Sequence, residues 1–103
     1  MNYKAAEPSI WKFPENIGYE SVPGYISVLK QRILDQELVL DLTDTTMVHS
    51  SFIGFLIHAK QIIEKNNGTL ELNLSKKSEK IFHMLNIHDF FSNNIKFVQN
   101  FEQ

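Results

Sequence analysis

The sequence predicts an α/β domain: a mixed or largely parallel sheet of four to five strands with helices packed on it. Three observations carry this reading. The 103 residues suffice for one buried core and one domain. Strand-like and helix-like segments alternate along the chain, the order that crossovers between neighbouring parallel strands require. Residues that tolerate a left-handed backbone stand where helical periodicity ends, at Asn66–Gly68 and at Asn86.

The elements follow in order. "SIWKF" (Ser9 to Phe13) reads as a strand, with a shorter one before it in "NYKAA". "ESVPGYISVLKQRILDQ" reads as a helix with Ser21 as cap and Pro23 in the first turn, where a missing N–H costs little. Its inner stripe is Val22, Ile26, Leu29 and Ile33. "ELVLDL" (Glu37 to Leu42) is a short leucine- and valine-rich run expected to be a strand buried on both faces. At about 100° per residue, Phe52, Phe55, Leu56, Ala59, Ile62 and Ile63 fall on one helical stripe, with Lys60, Gln61, Glu64 and Lys65 opposite. "NNG" ends that helix, and "TLELNL" (Thr69 to Leu74) alternates as a strand. "KKSEKIFHMLNIHDFF" reads as a helix with a solvated start that breaks near Asn86, and "IKFVQ" (Ile95 to Gln99) closes as the last strand.

Composition excludes several function classes. Hydrophobic residues are 43% and charged residues 21%, the globular norm rather than that of a disordered or fibrous chain. Net charge is −2 with both signs interspersed, so no basic face exists for phosphate neutralisation, and nucleic acid is not expected as a direct partner. The absence of cysteine removes disulfide, thiolate and cysteine–zinc chemistry. "MNYKAAEPSIW" lacks the pattern of an export signal, and no apolar run reaches the roughly 20 residues that span a bilayer. A cytoplasmic location without membrane insertion is therefore expected.

"MVHSSFIGFL" (Met47 to Leu56) carries the functional question. Ser50 or Ser51 stands where a helix N-cap is wanted, a role worth about 1 kcal/mol. Ile53 and Ile57 fall opposite the core stripe, beside Gly54, so the first turns are expected to show apolar side chains next to a modifiable hydroxyl. A phosphate there would suit the helix terminus and repel a partner that must bury it.

The run from Glu37 to Phe91 resembles the STAS domain, the sulphate transporter and anti-sigma factor antagonist fold, and most of all its stand-alone bacterial anti-sigma factor antagonists. Ser9 to Ile33 follows the family more loosely. The family signature between strand and helix is Asp-Ser-Ser/Thr-Gly-Leu-Gly, whose second hydroxyl residue a partner kinase, itself the anti-sigma factor, phosphorylates. Here Ser50 matches the first serine, Ser51 the phosphorylated residue, Ile53 the leucine and Gly54 the second glycine, while His49 replaces the aspartate and Phe52 the first glycine. The resemblance implies a STAS-type single domain over residues 1–103, phosphorylated on Ser51. It implies a partner surface of His49, Ser50, Ser51, Phe52, Ile53, Gly54 and Ile57, docking an anti-sigma factor with serine kinase activity in a partner-switching pathway of transcription regulation. The alternative is a divergent STAS interaction module without a phospho-switch, such as a regulatory subunit of a lipid-transport ATPase or a signalling scaffold. The C-terminal helix usual in the family is not expected after "NFEQ", and the protein is expected to be a monomer or weak homodimer.

No enzyme, cofactor or metal is expected. His49, His58, His83 and His88 lack the H-E-x-x-H pattern, and none is read as paired with a carboxylate at metal spacing. Ser51 and His49, two apart across a strand–helix junction, are not expected to face each other, and no G-x-S-x-G elbow surrounds the serine. No glycine-rich phosphate loop occurs. Asp44 is read as a turn residue rather than half of an acidic pair with Asp41, and Trp11 as packing at the sheet edge.

Overall fold

The computed structural model describes residues 8–32 and 36–98. These form β1 (Ser9–Lys12), β2 (Asn16–Ile17), a 3-10 turn (Tyr19–Ser21), α1 (Val22–Gln31), β3 (Glu37–Asp41), β4 (Met47–Val48), α2 (Ser51–Lys65), β5 (Thr69–Leu74), α3 (Lys76–Met84) and β6 (Ile95–Phe97). The strand expected in "NYKAA", the stripe residue Ile33 and the terminal "NFEQ" lie outside the described residues. No helix among the described residues is long and apolar enough to cross a membrane.

Four strands form the main sheet in the order β1, β3, β5, β6, and every pairing is parallel. The sheet is thus fully parallel among the described residues rather than mixed. Parallel neighbours cannot be joined by a hairpin, so α1, α2 and α3 serve as the crossovers. A second, two-stranded parallel sheet pairs β2 with β4. Alternation along each strand sends Leu38, Leu40 and Leu42 to the same face as Leu70, Leu72 and Leu74, all at most 1% exposed. All three helices pack on that face: Leu29 of α1, Phe55 and Ala59 of α2 and Phe82 of α3 belong to one apolar cluster with these leucines. The other face carries Ile10, Lys12, Asp41, Glu71, Asn73 and Lys96, exposed or half-buried. Burial of β3 on both faces therefore holds at Val39 alone.

Aromatic rings dominate one end of the core. Phe13 stacks on Trp11 at 4.8 Å and meets Tyr25 at 5.0 Å, Phe52 at 5.3 Å and Phe55 at 6.2 Å. Trp11 lies on the edge strand, as its sequence context predicts, with the Arg32 guanidinium 5.3 Å from its ring centre. Arg32 also donates to Ser9 Oγ at 3.0 Å, tying the end of α1 to the start of β1.

Helix ends follow backbone geometry more closely than residue type. Ser21 precedes α1 but makes no side-chain cap, because the 3-10 turn already places it in a helical conformation (φ −83°, ψ −21°) and a capping hydroxyl works from an extended residue. Pro23 does occupy the first turn. At the other ends, Asn67 (φ 64°) and Asn86 (φ 56°) are left-handed, whereas no described glycine is. Beyond each asparagine an N–H reaches back five residues, Gly68 to the Ile63 carbonyl and Ile87 to the Phe82 carbonyl, both at 2.9 Å. Such a bond closes a Schellman motif and satisfies a carbonyl that the helix leaves orphaned.

Asn86 therefore sets the direction in which the chain leaves α3. Replacing it with glycine is expected to change stability by no more than a few tenths of a kcal/mol. Asn86→Val, which crowds a branched Cβ into a left-handed residue, is expected to cost about 1–2 kcal/mol in urea unfolding. Equal stabilities for the two variants would contradict the turn described.

Candidate functional site

The junction between β4 and α2 lies beyond the C-terminal end of β3, on the sheet edge where open parallel α/β sheets bring loops together. Two anchors fix it. The His49 N–H donates to the Ile17 carbonyl at 2.8 Å, extending the pairing of β2 with β4 by one residue. On the helical side, Phe52 and Phe55 enter the aromatic cluster, with exposures of 1% and 2%. With Phe52 turned inward, the helical step leaves Ser50, Ser51 and Gly54 exposed.

Neither serine caps the helix. Ser50 holds the N-cap position but is itself helical (φ −59°, ψ −25°) and makes no side-chain cap bond. His49 caps instead: its Nδ1 accepts the Ser51 N–H at 3.0 Å and stands 2.9 Å from Ser51 Oγ. A backbone donor on Nδ1 makes that nitrogen an acceptor, so the ring proton sits on Nε2 and the Ser51 hydroxyl donates to Nδ1. The expectation that these two residues do not face each other fails for a local reason. The chain is already wound at this point, with the Phe52 N–H on the His49 carbonyl at 2.9 Å, and the imidazole folds over the turn.

Not every residue assigned to the partner surface belongs there. Phe52 is core and offers nothing to a partner. Ile53 and Ile57 are half-buried: Ile53 lines a crevice against Ile81 and Phe82 of α3, and Ile57 packs on the core. The apolar face expected on the first turns of α2 is thus only partly exposed. Beside the junction the exposed apolar groups are Tyr19 and Met47, at 66% and 60%. The Tyr19 ring lies 5.5 Å from that of His49. Sequence reasoning missed both, although each is a large apolar residue outside any periodic stripe. Gly54 is exposed, and a Cβ built there meets nothing within 4 Å. The fold does not require glycine at this helical position, where it costs roughly 0.5–1 kcal/mol relative to alanine.

A larger cavity of about 540 Å³ opens at the C-terminal ends of β1, β3 and β5, lined by Lys12, Glu15, Thr43, Asp44 and Lys76 among others. Lys12 Nζ contacts Asp44 at 2.9 Å and Asp41 at 3.8 Å. The Asp44 hydrogen bond holds the Lys12 pKa above its ordinary value, aided by the Asp41 charge and opposed by slight desolvation. Asp44 lies in the turn that the Thr45 N–H closes on the Leu42 carbonyl at 3.0 Å, as expected, while the local side-chain bonds come from Asp41, whose Oδ1 accepts the Thr43 N–H at 3.0 Å and its hydroxyl at 2.7 Å. At the start of α3, Ser75 and Ser78 form a reciprocal capping box, with Lys76 and Lys77 exposed.

The histidines also differ from expectation. Glu79 and His83 stand one helical turn apart on α3, with Oε2 and Nε2 at 3.1 Å. His88 Nε2 lies 3.7 Å from the same Oε2. The sequence spacing of Glu79 and His83 is i,i+4, the signal that attention to H-E-x-x-H alone passes over.

No protein-family model matches the chain, and no curated protein does. What can be carried onto the junction is its chemistry: an exposed hydroxyl whose proton faces an imidazole nitrogen, at the positive end of a 15-residue helix.

The cap assignment separates the two residues. His49→Ala is expected to lower stability by about 1 kcal/mol, whereas Ser50→Ala stays within about 0.5 kcal/mol of wild type. His49→Asp, which restores an acceptor and adds negative charge at the helix start, is expected to recover the loss in the same urea titration.

Proposed function

We propose that the chain is a STAS-type antagonist that docks an anti-sigma factor kinase through the junction of β4 with α2 and is released when Ser51 is phosphorylated. The observation that carries this reading is the exposed Ser51 hydroxyl held 2.9 Å from His49 Nδ1. In the signature that the sequence resembles, an aspartate stands where His49 stands here. His49 supplies an acceptor for the hydroxyl from that same position, so the replacement keeps the orientation of the nucleophile. Phe52, the other departure, is turned into the core and does not cover Ser51. Gly54 leaves the helix surface flat beside it, and Tyr19 and Met47 supply apolar contact at the rim.

In the transfer itself, Ser51 Oγ bonds to the terminal phosphorus of the kinase-bound nucleotide as the bridging P–O bond to the leaving diphosphate breaks. His49 Nδ1 is placed to take the hydroxyl proton. The product places a charge near −2 at the start of α2. The helix tolerates it, whereas a partner pressed against that surface must desolvate it. The surface of Tyr19 and Met47 also suits the second reading, a constitutive interaction module of a lipid-transport ATPase or a signalling scaffold, because apolar contact needs no phosphate.

Intact-mass and peptide mass spectrometry of protein from its own cells tests the switch. The expected result is a single phosphate on Ser51, absent from Ser51→Ala, and binding of Ser51→Asp to the kinase weakened by about tenfold or more. Absence of phosphate under growth and stress conditions, with Ser51→Asp binding its partner as wild type does, favours the constitutive module. Gly54→Ala is expected to raise stability by about 0.5–1 kcal/mol while weakening partner binding. Gly24→Ala, at another exposed helical glycine with open space for a Cβ, is expected to stabilise without affecting the partner.

A further inference from the structure

We infer that Glu79, His83 and His88 form a binding site for a borderline divalent transition metal ion, with Zn²⁺ the best fit. Two observations carry this. The ligand-capable atoms of the three residues all lie within 4.8 Å of one another. Ligand atoms in a tetrahedral zinc site, at bond lengths of about 2.0–2.2 Å, stand about 3.3–3.5 Å apart. Two of the three separations bracket that value, 3.1 Å from Glu79 Oε2 to His83 Nε2 and 3.7 Å to His88 Nε2, and the remaining one, between the two histidines, is within 4.8 Å.

The second observation is an orphaned atom. His88 Nε2 is buried and has no hydrogen-bond partner. A simple hydrogen-bonded arrangement leaves that nitrogen unsatisfied, because Glu79 Oε2 is already engaged by His83 and lies beyond hydrogen-bond range of His88. The two imidazoles stack at 4.2 Å with 13° between their planes, so binding one ion requires the exposed His83 ring to turn out of the stack until both in-plane Nε2 lone pairs meet. Protonating both rings to reach Glu79 would bring two like charges face to face. One divalent cation serves both nitrogens while the rings stay neutral.

The fold builds this arrangement from two elements. Glu79 and His83 lie on one face of α3, and the left-handed turn at Asn86 brings His88 back beside them. His88 Nδ1 stands 4.0 Å from Asp89, so a carboxylate is at hand on the ring's other nitrogen, where metal-bound histidines usually have an orienting partner. Two nitrogens and one carboxylate oxygen suit zinc, cobalt, nickel or copper and disfavour calcium and magnesium, which take oxygen ligands. Three protein ligands leave a fourth position for water, facing a depression of about 210 Å³ lined by His83, Asn86, His88 and Asp89. A bound ion would clamp the end of α3 to the segment that follows it.

The test uses the full chain without a histidine tag, titrated with ZnCl₂ and followed by the imidazole nitrogen resonances. The expected result is a joint shift of His83 and His88 that saturates at one equivalent, while His49 and His58 stay fixed and MgCl₂ moves none of the four. The melting temperature is expected to rise by roughly 10 °C at a hundredfold excess over Kd. Glu79→Gln and His88→Gln are each expected to weaken binding about tenfold or more, and His58→Gln, exposed on α2, to leave it unchanged. Shifts spread over all four histidines, no saturation at one equivalent, or wild-type affinity in the two ligand variants would overturn the assignment. Should a ligand variant fail to fold, the wild-type resonances decide alone, since His49 and His58 are controls within the same molecule.

Discussion

The packing of Phe52 against Phe13 is the contact on which the candidate site depends. Phe13 leaves the edge strand with its ring between Trp11, Tyr25 and the two phenylalanines of α2, so one side chain joins β1, α1 and the first turn of α2. Buried aromatic rings supply large apolar area and prefer offset or edge-on geometry, which restricts the rotation of the helix that bears them. Once Phe52 is seated, the helical step dictates that Ser51 and Gly54 face solvent. The exposure of Ser51 beside His49 is a consequence of core packing rather than of anything the serine does.

That dependence bears on the proposed function, in which Phe52 stands at the first glycine of the resembled signature. A bulky residue at that position obstructs an approaching partner only if its side chain points outward, and here it fills the core. The aspartate position follows a similar rule. What the turn requires is an acceptor within reach of the Ser51 N–H and hydroxyl, and an imidazole Nδ1 meets that requirement when its proton is on Nε2.

Polar groups at the margins of the core do comparable work elsewhere. Buried Asn94 donates to the Leu70 carbonyl at 2.9 Å and to Glu64 at 3.2 Å, and accepts from Lys60 at 3.1 Å. It thereby links α2 to β5 just ahead of β6, where a backbone group left unpaired would be costly. Ile53 shares a narrow crevice with Ile81 and Phe82 of α3, and the exposed apolar groups beside the junction are Tyr19 and Met47.

Period and punctuation were enough to determine the four strands of the main sheet and the three helices, though not the two-residue strands β2 and β4 or the 3-10 turn. The leucine alternation in "TLELNL", the stripe from Phe52 to Ile63 and the asparagine at 86 each express a local rule, which tertiary contacts reinforced. Even the inward direction of Phe52 was legible, because a 3.6-residue period fixes which residues share a face. Only the tertiary structure decided what meets across elements. Whether Ile53 is exposed depends on where α3 lies, whether Tyr19 reaches His49 depends on the pairing of β2 with β4, and whether His88 joins Glu79 depends on the turn at Asn86. The cap fell between these cases. The sequence placed a hydroxyl at the helix start, but the backbone conformation of Ser50 gave the role to His49, since a side chain can cap only from the direction its own φ and ψ allow.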